Sequence, residues 1–270
     1  MCYNTPMKHN LFKTLSILFL LAAVAIGAWR FYSYRQIEQR NAALEEQAMI
    51  EAPPDPLGVH KEEREEERKR IRALAYPYKN IDYAALKERN EDFVAWIYVP
   101  ALDLNYPVVH SHDDQDYLHL TFDREESVEG SIFLDAFVEP DFTSRNSFVF
   151  GHNMRNGSMF GSLKQFAADG GAEMVKKQPW IFIYMEDAVV RYEIFAYQFV
   201  HVDSMLYRDC EDDADYEAYL DEVMEGTLYT ASEVPDYGTD RLITLSTCSG
   251  STGTRRFIVQ GIEKERYAVE

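Results

Sequence analysis

A single cysteine ends one strand-like run and two arginines open the next in "TLSTCSGSTGTRRFIVQG", residues 244–261. In "RLITLSTC" the large apolar Ile243 and Leu245 alternate with Thr244 and Ser246, so a period of two puts Cys248 on the polar side of its strand. A free cysteine ordinarily serves as a small buried hydrophobe. Here the parity, and the "SGSTG" loop directly after it, point to a nucleophile instead. A nucleophilic thiol needs surroundings that favour thiolate, a partner that moves protons, and a donor for the oxyanion formed on attack at a carbonyl. Arg255 and Arg256 follow the loop; being adjacent at a strand start they face opposite sides, so at most one shares the side of Cys248. Among the histidines, His152 stands out because "NSFVFGHN" runs an apolar strand into Gly-His-Asn and sets an imidazole at a strand end. His110, His112 and His119 in "HSHDDQDYLH" fit no metal-ligand spacing and read as a solvated loop, so no metal is expected.

The elements that must hold these groups are mostly strands. Runs at 94–99, 106–109, 130–134, 147–151, 180–185, 189–199, 241–247 and 256–262 are separated by Gly, Pro, Asp and Asn, and eight short strands in this span predict a closed or nearly closed barrel. A helix is expected over 82–91, capped by Asp82 with Leu86 on its apolar side. Two more are expected: one over 161–171 with a glycine stop, and one over 212–226 whose Tyr216, Tyr219, Leu220, Val223 and Met224 recur at helical spacing as core packing. The charge-dense "HKEEREEERKRIRAL" at 60–74 reads as a solvated helix, and "APPDPLG" at 52–58 as a break in a stalk.

Residues 11–29 are apolar except Lys13, Thr14 and Ser16, close to the ~20 residues that cross a bilayer. Ala23-Val24-Ala25 offers a small-x-small cleavage site, but the apolar run continues through Trp29 and Phe31, so the segment reads as an uncleaved anchor. Lys8 and Lys13 precede it and Arg30, Arg35 and Arg40 follow it, which leaves the orientation open by charge alone. The formal net charge of −19 argues against sequence-independent binding to nucleic acid, which relies on lysines and arginines to neutralise phosphates. Of three cysteines, Cys2 lies before the anchor, so only Cys210 and Cys248 could pair.

Taken in order, "FVAWIYVPALDLNYPVV" (93–109), "DYLHLTF" (116–122), "GSIFLD" (130–135), "FGHNMRNGSMFGSL" (150–163), "LSTC" (245–248) and "RFIVQG" (256–261) resemble the class B sortases, membrane-anchored cysteine transpeptidases of Gram-positive bacteria. The resemblance implies a mainly β fold, an eight-stranded sortase-type barrel with N-terminal helices and a long helix before the cysteine strand. It implies Cys248 as nucleophile, His152 as general acid and later base, and Arg256, which immediately precedes the apolar strand, as oxyanion donor. Leu118, Ser246 and Leu206 match positions lining the peptide groove. The implied reaction cleaves a C-terminal sorting motif after its threonine, forms a thioester on Cys248, and passes the protein to an amine of a peptidoglycan precursor or a pilin, with no cofactor.

The same resemblance implies residues 1–10 in the cytoplasm, 11–32 as a single-pass signal anchor in the cell membrane, 33–75 as stalk and charged helix, and 76–270 as the extracytoplasmic catalytic domain. The chain departs from the family in Asp114, where some relatives have asparagine, and in Ser249-Gly250, which replaces an acidic pair. Two rivals compete: a thiol peptidase that only hydrolyses, and a non-catalytic anchored module that holds peptides. The order of His152 before Cys248, with Ser246-Thr247 preceding the thiol, disagrees with papain-like and caspase-like peptidases.

Overall fold

The computed structural model describes residues 6–49, 76–208, 210, 212–229, 231, 234–236, 240–248 and 253–269. The expected stalk break at 52–58, the charged helix at 60–74 and most of the loop after Cys248 lie outside them. The chain forms two compact units, Met1–Leu44 and Glu45–Glu270.

The described part of the first unit belongs to one helix, α1 (Pro6–Ala48), which continues without interruption beyond the apolar run. Its described part from Leu15 onwards is long and apolar enough to cross a membrane, with an 18-residue stretch of mean hydropathy 1.8. Leu18, Phe19 and Trp29 are more than half exposed on it, an apolar surface of the kind that lipid covers.

The second unit is built on eight strands: β1 (Phe93–Val99), β2 (Leu104–Val109), β3 (Ile132–Leu134), β4 (Asn146–His152), β5 (Trp180–Tyr184), β6 (Ala188–His201), β7 (Leu242–Cys248) and β8 (Arg255–Ala268). They close as β1-β2-β3-β4-β7-β8-β6-β5, the expected barrel. β4 and β7 are parallel neighbours although β5 and β6 come between them in sequence; parallel pairing requires such a crossover. Inside, Ile97, Val99, Val108, Val149, Ile243, Leu245 and Val259 form the core.

The second helix, α2 (Tyr83–Arg89), starts as expected: Asp82 Oδ1 accepts a hydrogen bond from Ala85 N at 2.9 Å, and Leu86 is buried. The expected helix at 161–171 differs. A 3-10 helix covers Phe160–Ala167, Gly170 turns the chain at φ +83°, and a new helix, α3 (Gly171–Lys177), begins. The glycine pair redirects the chain rather than stopping it. Gly170 supplies the left-handed turn, and a Cβ on Gly171 would lie 2.1 Å from the Phe166 carbonyl oxygen.

The last helix, α4 (Asp213–Gly226), is capped by the Asp212 carboxylate and buries Tyr216, Tyr219, Leu220 and Val223. They pack on Leu242, Ile258 and Ile262 in a second apolar cluster on the outer side of β6, β7 and β8. Full burial stabilises a large apolar side chain by roughly 1.5–3 kcal/mol, so α4 secures the strand that carries Cys248. The Tyr219 hydroxyl, fully buried, accepts from Asn146 Nδ2 at 2.9 Å and Gln260 Nε2 at 2.5 Å. Burial pushes its pKa up to about 12. Thr244 joins the group by donating to Asn146 Oδ1 at 3.0 Å. The polar side of β7 is therefore hydrogen-bonded within the protein, as buried polar groups must be.

Candidate active site

The parallel ladder between β4 and β7 runs in register from Asn146↔Leu242 to His152↔Cys248. His152 and Cys248 are thus the last paired residues of adjacent strands, whose backbones lie about 4.8 Å apart. On the other side of β7 the antiparallel register is Leu242↔Ile262 through Ser246↔Ile258. Carried two residues further, the same register sets Arg256 opposite Cys248. Three residues separated by up to 104 positions in the chain are brought to one end of three neighbouring strands.

Arg255 and Arg256 part company as strand parity requires. The Arg255 guanidinium lies over the Phe199 ring at 4.8 Å, an exposed cation–π contact. Arg256 is half-buried, and its Nη1 donates to the Gly253 carbonyl at 3.0 Å.

Glycine explains why His152 can stand where it does. A Cβ at Gly151 would lie 2.4 Å from Ile132 Cδ1 and 2.8 Å from Phe160 Cγ. The absence of that carbon lets the end of β4 lie close against β3 and the 3-10 helix. After His152 the chain folds back through an Asn153↔Met159 bridge, and Tyr106 Oη accepts from Met159 N at 3.1 Å.

The imidazole is half-buried, with Nε2 2.7 Å from the Leu118 carbonyl oxygen. A carbonyl only accepts, so Nε2 carries the proton and Nδ1 is left for exchange. Burial is the main cause that lowers the His152 pKa; the Leu118 bond opposes it, neighbouring His119 lowers it further and Glu129 raises it. The His119 and His152 ring centroids are 6.4 Å apart. Because the folded pKa lies below the unfolded value near 6.5, the unfolded chain binds this proton first as pH falls. The resulting stability is complete above about pH 6.5 and is lost as pH drops through the folded pKa. An NMR titration of the His152 ring is expected to give a midpoint below 6.5; a midpoint at or above it would contradict the burial argument.

The expected groove residues are placed unevenly. Leu118 is half-buried at the end of a 3-10 turn, Asp116–Leu118, and meets His152 through its carbonyl. Ser246 is 1% exposed, with its hydroxyl 2.8 Å from Tyr207 Oη. Leu206 is likewise 1% exposed and belongs to the outer apolar cluster beneath α4. Its side chain packs within that cluster. In the same 3-10 turn, Met205–Tyr207, it is Tyr207 that reaches Ser246 and packs against Phe148 and Phe150, at 6.2 and 6.4 Å. The Asp114 carboxylate accepts from Ala136 N at 2.8 Å, a loop contact. Cys210 is half-buried and packs against the outer apolar cluster. Beside Leu118 lies a cavity of about 650 Å³ bordered by Asp116, His119, Leu120 and Glu126.

Residues 97–264 match the family model of the sortase domain. The chain belongs to the sortase family. It is 32% identical over 181 residues to Sortase B of Listeria monocytogenes, an alignment covering 65% of this chain and 71% of that protein. The X-ray structure of Clostridium perfringens sortase B matches at TM-score 0.61 and 30% identity, covering 67% of this chain and 99% of the other. The fold is also that of a Staphylococcus aureus sortase B–substrate complex, at TM-score 0.69 and 24% identity, with 87% and 99% of the two chains covered. The chain is accordingly a class B sortase, a cysteine transpeptidase of the kind that anchors surface proteins to the cell wall.

Proposed function

We propose that Cys248, His152 and Arg256 carry the transpeptidation. The Cys248 thiolate attacks the carbonyl carbon of the threonine in a C-terminal sorting motif, and the Arg256 guanidinium stabilises the oxyanion that forms. His152 as imidazolium gives its Nδ1 proton to the leaving amine, so the peptide bond breaks and a thioester remains on Cys248. Neutral His152 then takes a proton from the incoming amine as it attacks the thioester, which releases the thiolate and leaves a new amide. The observation that carries this reading is the register that pairs His152 with Cys248 on one side of β7 and extends to Arg256 on the other.

The donors are surface proteins with a C-terminal sorting signal, and the acceptor is an amine of a peptidoglycan precursor or a pilin. Leu118, through its contact with His152, and the polar Ser246–Tyr207 pair border the groove that receives the peptide. The apolar helix is the single-pass anchor of residues 11–32. It holds residues 1–10 in the cytoplasm and, beyond the stalk at 33–75, the catalytic domain of residues 76–270 outside the cell membrane.

The test uses the full chain in detergent micelles with a library of threonine-containing sorting peptides, with and without triglycine or a lysine-bearing peptide. Cleavage that yields an amide to the added amine is the expected result. Cleavage that yields only the free acid would favour a hydrolytic thiol peptidase, and binding without cleavage would favour a peptide-holding module.

A further inference from the structure

The Leu118 carbonyl that meets His152 closes a single 3-10 turn in a stretch with few ladder bonds, so something other than the sheet must fix it. Tyr117, one residue earlier, is 2% exposed and ends in a polar cluster. Its hydroxyl accepts from Asn90 Nδ2 at 2.8 Å and donates to Asp92 Oδ2 at 2.7 Å. Arg124 Nη2 donates to the same carboxylate oxygen at 3.0 Å. The other proton of Asn90 Nδ2 goes to the Phe122 carbonyl at 2.8 Å, and Asn90 Oδ1 accepts from Asp92 N at 3.0 Å.

The opposite side of the turn is gripped as closely. Ser131 N donates to the Tyr117 carbonyl at 2.9 Å. Gly130 sits at φ +56°, where a Cβ would lie 2.4 Å from the Tyr117 oxygen and 2.7 Å from the Leu118 oxygen itself. A fully satisfied polar cluster specifies one geometry more sharply than apolar packing does. This one joins the junction of α2 and β1 to the peptide unit that receives the His152 proton.

We propose that Tyr117, braced by Asn90, Asp92 and Gly130, is a positioning residue for the transpeptidation: it holds the Leu118 carbonyl so that His152 keeps its proton on Nε2 and presents Nδ1 to the reacting amine. The inference rests on the role given above to His152. Tyr117 touches no reacting atom; it acts through the Leu118 peptide, as hydrogen-bond partners behind a working histidine commonly do.

The experiment compares the full chain in micelles with Tyr117→Phe, which removes one oxygen and keeps the ring packed, and with His152→Ala. Two quantities are read: kcat and KM for a peptide cleaved in the transfer assay, and the ring-nitrogen NMR signals of His152 with ¹⁵N-labelled histidine. Tyr117→Phe is expected to lower kcat about tenfold with KM within about twofold. The His152 signals are expected to move from the Nε2–H tautomer to a mixture. Wild-type kcat, or a lowered kcat with an unchanged tautomer, would overturn the inference. Wild-type activity in His152→Ala would instead overturn the role of His152 and take this inference with it, so the two failures are distinguishable.

Discussion

Replacing Cys248 by alanine is expected to abolish cleavage and transfer, lowering the rate by roughly 10⁵-fold or more, to background. The remaining groups can bind a peptide and polarise its carbonyl, but none supplies the nucleophile that splits the reaction into two acyl transfers. The substitution leaves the main-chain pairing of β7 with β4 unchanged, so the barrel should persist. Peptide cleavage followed by chromatography, beside a thermal melt, checks both halves. Residual turnover above background in a cleanly folded Cys248→Ala protein would remove the cysteine from the mechanism.

Arg256→Ala is expected to reduce kcat by about 10²–10³-fold with little change in KM, because a donor aimed at the oxyanion contributes mainly in the transition state. Arg255→Ala is the internal control. Its guanidinium covers Phe199 on the opposite face of β8, and its loss should change kcat by no more than about twofold. Steady-state kinetics of the two variants separates them; the reverse ranking, or an unchanged rate in Arg256→Ala, would refute the assignment of Arg256.

The strands were legible because their alternation is strong, and α4 because Tyr216, Tyr219, Leu220 and Val223 recur at helical spacing and are all buried. The pairing of β4 with β7 was not: it joins residues some 96 positions apart, His152 with Cys248, and no local pattern announces a parallel crossover partner. The alternation along β7 sets Thr244 and Ser246 on one side of the strand, where both are at most 1% exposed and hydrogen-bond to Tyr219 and Tyr207. Their polarity serves α4 and Tyr207 as well as the strand end. The burial of Leu206 was not legible, because sequence gives no direction for a side chain in a one-turn helix, and the apolar cluster under α4 takes it up. Tyr117 left a weak trace in "DYLHL", next to Leu118; its importance appears only when Asn90 and Asp92, 27 and 25 residues earlier, are seen to meet its hydroxyl.

The central claim, that Cys248 forms an acyl thioester which an amine resolves, is tested most directly by the intact mass of the full chain incubated with threonine-containing sorting peptides. A mass increase equal to the peptide's acyl part is expected in the wild type, with its absence in Cys248→Ala and its disappearance into an amide product when an amine is added. An adduct that forms equally in Cys248→Ala, or amide product formed with no adduct when the amine is supplied last, would contradict it.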